Sequence, residues 1–207
     1  MLQFDAEVTR LLNIAYEGAE LTRRRQASID ELKASPGDTL LDVGCGNGLL
    51  TAELARAVGS DGKVIGGHVD AQGWRGAAWI DGEFTMIGTD DPKGWVGSVN
   101  AANRDGTILV GGLAGTNEWT WGEDAYLWSP ATGTRNLGNF TFPCEVVAPW
   151  DCAWIPEVVF PAEAFGVSDR GDIVIGRAGD FWNGFIGFLW TESLGMIDFN
   201  EFLQGRG

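Results

Sequence analysis

An α/β fragment with leading helices, joined near residue 66 to an all-β region of repeats, is the fold class this sequence predicts. Three observations predict it. Residues 40–48, Leu-Leu-Asp-Val-Gly-Cys-Gly-Asn-Gly, read as a short apolar strand, a glycine loop and the start of a helix. All ten Trp lie at or beyond Trp74. Glycine is equally uneven, with 8 in residues 1–66 and 23 in residues 67–207, where segments also recur at fixed offsets.

The first part reads in order. Phe4, Val8, Leu11 and Leu12 recur at helical spacing, and a second helix runs from about Leu21 to Leu32, with Ile29 and Leu32 beside Arg23-Arg24-Arg25. The three arginines are expected on a solvated face. Pro36-Gly37 stops that helix, and Thr39 to Val43 forms a short strand. The glycine loop follows, then a helix from about Leu49 to Val58, ended by Gly59-Ser60-Asp61-Gly62. Lys63-Val64-Ile65-Gly66 makes a second strand and completes a βαβ unit, an expected seat for an anionic or ribose-bearing ligand.

Each loop glycine has a separate reason. Gly44 must turn sharply out of the strand, Gly46 must let a ligand approach the backbone, and Gly48 must let the helix pack closely on the strand. Pro-Gly-Asp-Thr followed by Leu-Leu-Asp-Val-Gly-Cys-Gly-Asn-Gly-Leu-Leu-Thr resembles motif I of class I S-adenosylmethionine-dependent methyltransferases, a resemblance that covers about residues 4–66. It implies a Rossmann-like βαβ unit in which Asp42, Gly44, Gly46 and Gly48 cradle the methionine part of S-adenosylmethionine. It also implies an acidic residue at the end of the second strand that takes both ribose hydroxyls. One or two residues after Gly66, where that acid belongs, stand Gly67 and His68. Asp70 comes two residues late, and it serves only if the backbone slips, because strand side chains alternate. His68 is expected in an exposed turn at the join.

Such a transferase needs several more strands to close its adenine pocket and present a substrate. Nothing after residue 70 reads as βαβ, so a truncated domain with no complete catalytic apparatus is expected, and no catalytic residue is named. The division expected is 1–66 for the cofactor-binding segment and 67–207 for the repeats.

The repeats carry their own pattern. Asn103-Arg104-Asp105-Gly106-Thr107-Ile108-Leu109-Val110-Gly111 matches Ser168-Asp169-Arg170-Gly171-Asp172-Ile173-Val174-Ile175-Gly176 at an offset of 65. Ala125-Tyr126-Leu127-Trp128 matches Gly187-Phe188-Leu189-Trp190 at an offset of 62, and Gly133 pairs with Gly195. Gly76-Ala77-Ala78-Trp79 is a partial earlier copy, with Asp81-Gly82 as a tight hairpin turn before Phe84-Thr85-Met86-Ile87-Gly88. These segments resemble the HAF repeat family over about residues 73–203. The resemblance implies an incomplete propeller-like array and, since that family is usually exported, an extracytoplasmic home at odds with a start that carries no signal sequence. As written, the chain is expected in the cytoplasm.

Composition narrows the function. The net charge of −15 falls as −3 on residues 1–66 and −12 on the rest, which opposes nucleic-acid binding. No stretch approaches the roughly 20 apolar residues of a membrane span. With His68 the sole histidine, Ser-His-Asp and histidine-rich zinc chemistry are excluded, and no metal site is expected. Asp90-Asp91, Glu123-Asp124 and Asp169 to Asp172 read as turn residues, and Asn103-x-Asp105-Gly106 supplies only a fragment of a calcium loop. Cys45 reads as a small apolar filler, and Cys144 and Cys152 share one aromatic loop. Trp79, Trp128 and Trp190 are expected in packing. Trp119, Trp121, Trp150, Trp154 and Trp182 are the candidates for contact with a small-molecule or sugar ligand. Open β edges offer a route to self-association. Three readings stand: a methyltransferase-related chain retaining its cofactor loop, a non-enzymatic β-repeat binding or structural protein, and a chimera of two incomplete coding regions.

Overall fold

The computed structural model describes residues 10–11, 14–42, 45, 48–70, 73–87, 96–114, 124–143, 157–180 and 184–205. The protein is mostly β with few helices, arranged in several separate sheets, and none of the described sheets closes on itself. It divides into two compact units, residues 1–86 and 87–207.

In the first unit, α1 (Ala19–Leu32) is built from good helix formers and ends where Lys33 turns left-handed (φ 52°), its N–H returning to Ile29 O at 3.1 Å. Pro36-Gly37 then redirects the chain, with Gly37 at φ 89°. Strand β1 (Thr39–Leu41) runs parallel to β2 (Lys63–Asp70), with Leu41 opposite Ile65. Between them α2 (Leu49–Val58) buries Thr51, Leu54 and Val58, a spacing that keeps one face on the sheet. Leu54 and Val58 pack with Val64, and Ile29, Leu40 and Trp79 close around them.

The second strand does not end at Gly66. It continues to Asp70 and pairs antiparallel with β3 (Gly73–Ile80), from Lys63↔Ile80 to Asp70↔Gly73. His68 therefore lies within a strand, opposite Arg75, and not in the turn expected for it. Asp81 (φ 54°) and Gly82 (φ 77°) make the two-residue hairpin into β4 (Glu83–Ile87), the backbone that an Asp-Gly pair favours. The sheet order is β1-β2-β3-β4, one parallel pair followed by antiparallel neighbours.

The second unit holds two four-stranded antiparallel sheets of matching design. The first comprises β5 (Val96–Ala102), β6 (Leu109–Ala114), β7 (Asp124–Ser129) and β8 (Gly133–Gly138). A pair, β9 (Phe140–Pro143) and β10 (Glu157–Phe160), leads to the second sheet. That sheet comprises β11 (Ala162–Val167), β12 (Ile173–Asp180), β13 (Gly184–Thr191) and β14 (Gly195–Asp198). A short helix, α3 (Phe199–Gln204), follows. It was not foreseen because six residues are too few to show a period, and Asp198 caps it by accepting from Asn200 N at 2.7 Å.

The sequence repeats are reproduced in backbone detail. Asn103 N donates to Ile108 O and Ser168 N to Ile173 O, both at 2.9 Å. The turn glycines Gly106 and Gly171 take φ of 66° and 73°, and Gly133 and Gly195 take 67° and 68°. Bulges fall at equivalent places, between Val99 and Ala101 and between Ala164 and Gly166. Tyr126 lies across Gly111 and Phe188 across Gly176, where a Cβ would meet the ring and also overlap the carbonyl oxygen of Ser98 or Glu163. The two sheets pack face to face, Val110, Ala125 and Leu127 of the first against Ala164, Val174, Phe188 and Trp190 of the second.

Candidate functional site

The end of β1 and the start of α2 come together at Asp42. Its N–H donates to Ile65 O at 2.8 Å, which fixes it beside β2, and its Oδ2 accepts from Thr51 Oγ1 at 2.6 Å. Thr51 is fully buried. Among the described residues no donor reaches the other carboxylate oxygen. Gly66 keeps this corner small, because a Cβ there would lie 3.2 Å from Thr51 Cγ2 and 3.5 Å from Asp42 O. Gly48, in the left-handed conformation at φ 75° and ψ 9°, opens α2, and its N–H donates to Cys45 O at 2.9 Å.

A cleft of about 230 Å³ opens at this corner. Asp42, Cys45, Leu49 and Leu50 form one wall, and Tyr16, Leu21, Arg24, Arg25 and Ser28 of the helical segment form the other. The sequence reading missed that second wall, since it placed all three arginines in solvent. Arg23 and Arg24 do extend outward, each 3.0 Å from Glu20, and their guanidinium groups hold the Glu20 carboxyl below its ordinary range. Arg25 differs. Its side chain is only 13% exposed, and it reaches Glu53 of α2 at 3.2 Å, Tyr16 O at 2.5 Å and Thr22 Oγ1 at 3.2 Å. It thereby ties α1 to α2 across the cleft. The signal was legible only in part: Thr51 is the one polar residue on the buried face of α2, and a buried hydroxyl needs a partner.

The remaining expected site residues are placed as follows. Gly44 and Gly46 lie outside the described residues. Asp70 ends β2 four residues beyond Gly66, which at the usual rise puts its backbone roughly 13 Å further along the strand. Asp124 is not in an exposed turn: it is buried at the start of β7, where it accepts from Asn136 Nδ2 at 2.6 Å and Asn139 Nδ2 at 2.5 Å. Asn103 and Asp105 point their oxygens at local donors, Asn103 Oδ1 taking the N–H groups of Thr107 and Ile108 at 2.9 Å. Trp128 and Trp190 are buried, and Trp79 packs in the core of the first unit with Phe84 at 4.7 Å. Trp119, Trp121, Trp150, Trp154 and Trp182, with Cys144, Cys152 and Asp90-Asp91, lie outside the described residues. No group of three or more His, Cys, Asp or Glu side chains gathers among the described residues, and no described helix is long and apolar enough to cross a membrane.

Residues 22–72, which contain most of this corner, match the family protein-L-isoaspartate(D-aspartate) O-methyltransferase. The N-terminal region is methyltransferase-related. Over 58 residues, 27% of this chain and 29% of the relative, it is 36% identical to a probable cobalt-precorrin-6B C(15)-methyltransferase (decarboxylating) of Thermoplasma acidophilum. Over 101 residues, 48% of this chain and 36% of the relative, it is 31% identical to a ubiquinone/menaquinone biosynthesis C-methyltransferase of Teredinibacter turnerae. The chain thus spans about a third of the length of these curated relatives. No solved structure matches it.

Proposed function

We propose that the methyltransferase-related region binds S-adenosylmethionine at the Asp42 corner but lacks the supporting sheet needed for efficient methyl transfer. The observation that carries this reading is the Asp42 carboxylate, anchored through one oxygen by Thr51 and presented at the mouth of a cleft beside a helix start. A carboxylate oxygen to which no described residue donates suits the ammonium of an amino-acid moiety, while Leu49, Leu50 and Leu21 suit apolar atoms of the same ligand. When bound, that cofactor supplies an electrophilic methyl group. Gly48, left-handed at the start of α2, lets the backbone approach it.

Size argues that the hold is partial. At about 230 Å³ the cleft falls short of the roughly 300–1,000 Å³ of complete small-molecule sites. Methyl transfer further depends on holding donor and acceptor in line, and no described residue serves as an acceptor base. A sheet with one parallel pair, continued by an antiparallel hairpin, supports a truncated domain.

The repeat geometry favours a second, compatible reading for residues 87–207: a non-enzymatic β-repeat part of propeller-like design, joined to the first in a chimera. The paired sheets, with their equivalent turns and bulges, support it. Sequencing the junction codons in independent genomic DNA tests the chimera, and an uninterrupted frame in several isolates argues against an assembly error.

Isothermal titration of the full chain tests the cofactor reading. Saturable heat with a Kd between roughly 10 μM and 1 mM is expected, and it disappears in Gly46→Asp. No heat up to about 1 mM ligand would reject binding.

A further inference from the structure

Leu21, Arg24, Arg25 and Ser28 hold the i, i+3, i+4 and i+7 positions of α1, so a single stripe of that helix lines the cleft opposite Asp42. Among the described residues, three charged side chains line the cleft: Arg24, Arg25 and Asp42. Arg25 is matched by Glu53 at 3.2 Å, with both side chains largely buried. Arg24 is matched less well. Its Nε meets Glu20 Oε1 at 3.0 Å, yet Arg23 already holds both oxygens of that carboxylate, through Nε to Oε2 at 3.1 Å and through Nη2 to Oε1 at 3.0 Å. One acid thus serves two guanidinium groups, and a positive charge is left over. The two terminal nitrogens of Arg24 meet no acceptor among the described residues, and the side chain is 70% exposed, within reach of a ligand. On the opposite wall the Asp42 carboxylate is met, among the described residues, only by neutral groups, with the Thr51 hydroxyl on Oδ2.

The cleft therefore carries one surplus charge of each sign, on facing walls. A ligand with a single charge leaves one wall unmatched, and a phosphate is repelled by Asp42. A zwitterion satisfies both. An α-amino acid carries its ammonium and its carboxylate on one carbon, so it can offer the first to Asp42 and the second to Arg24. The guanidinium suits that task, because its planar fork takes a carboxylate through two parallel N–H donors, and the contact with Glu20 uses only Nε. Arg25 cannot substitute, since its guanidinium is spent on Glu53, Tyr16 O and Thr22 Oγ1.

We propose that Arg24 is the carboxylate-binding residue of this cleft, which thereby selects a zwitterionic α-amino-acid moiety, with the ammonium on Asp42 and the carboxylate on Arg24. The assignment rests on the reading that the cleft binds S-adenosylmethionine. Its test is calorimetric titration of the full chain with S-adenosylmethionine and with decarboxylated S-adenosylmethionine, which keeps the sulfonium, the amine and the adenosine and lacks only the carboxylate. The wild-type chain is expected to bind the intact cofactor about fivefold more tightly, the scale of a partly exposed ion pair. Arg24→Gln should abolish that preference. Arg23→Gln removes the same charge from the neighbouring residue, which does not line the cleft, and should preserve it. Equal affinity of the wild-type chain for the two ligands, or a preference lost as fully in Arg23→Gln as in Arg24→Gln, would overturn the role of Arg24 and leave cofactor binding standing. Heat from neither ligand would overturn both.

Discussion

Thr51 Oγ1 lies 2.6 Å from Asp42 Oδ2, and this one contact locks the start of α2 to the end of β1 at the mouth of the cleft. Hydrogen bonds to a carboxylate are among the stronger ones, and Thr51 is fully buried. Thr51→Val keeps the shape and removes the donor. It is expected to cost about 1–2 kcal/mol in chemical denaturation and to weaken S-adenosylmethionine binding several-fold, because Asp42 loses its fixed orientation. Thr51→Ser, which restores the donor, should recover most of the affinity.

Asp70 should not share that sensitivity. Its backbone stands roughly 13 Å beyond the level of Gly66 along β2. Asp70→Ala is expected to leave the cofactor Kd within about twofold by calorimetry, well under one tenfold step of about 1.4 kcal/mol.

In the repeat sheets, Gly111 and Gly176 are predicted to be the least replaceable glycines. A Cβ at either would overlap a neighbouring strand carbonyl, of Ser98 and Glu163 respectively, and press on the ring of Tyr126 or Phe188. Gly111→Ala and Gly176→Ala should each destabilise the second unit by at least about 1–3 kcal/mol in urea unfolding. Gly138→Ala makes the informative contrast: nothing lies within 4 Å of its Cβ position, so its cost is only the left-handed backbone at φ 88°, about 1 kcal/mol.

Tyr126 gives the fold an alkaline limit. Burial pushes its phenol far above the ordinary value, and the hydroxyl donates to Ser98 O at 3.0 Å. Because the folded state prefers the neutral form, the phenol costs nothing below the unfolded pKa of about 10, and stability falls as pH rises above it. Thermal melts of the full chain should lose stability above about pH 10, and Tyr126→Phe should flatten that loss while lowering stability at neutral pH by about 1 kcal/mol.

Local rules foretold much of this architecture. The bounds of α2 were legible because Gly48 and Gly59 bracket an apolar period, and the Asp81-Gly82 hairpin because that dipeptide accepts two positive φ angles. The repeats were legible because matching turns demand matching glycines. What stayed hidden was tertiary. Gly66 looked like a strand end, yet β2 runs on because β3 supplies a hydrogen-bonding edge that no local pattern reveals. Trp79, counted with the repeats, packs against Leu54, Val58 and Val64, so the apparent join is stitched into one sheet and one core. Of the candidate site, Asp42 and Gly48 came from the motif, whereas Arg25 and Thr51 could be found only once α1 and α2 were set beside the strand.

Hydrogen–deuterium exchange of the full chain, with and without saturating S-adenosylmethionine, tests the central claim most directly. The account predicts slowed exchange at Asp42, Cys45 and residues 48–51, together with α1 near Arg25, and none across residues 96–205. Unchanged exchange at that corner under saturating ligand, or protection confined to the repeat sheets, would contradict it.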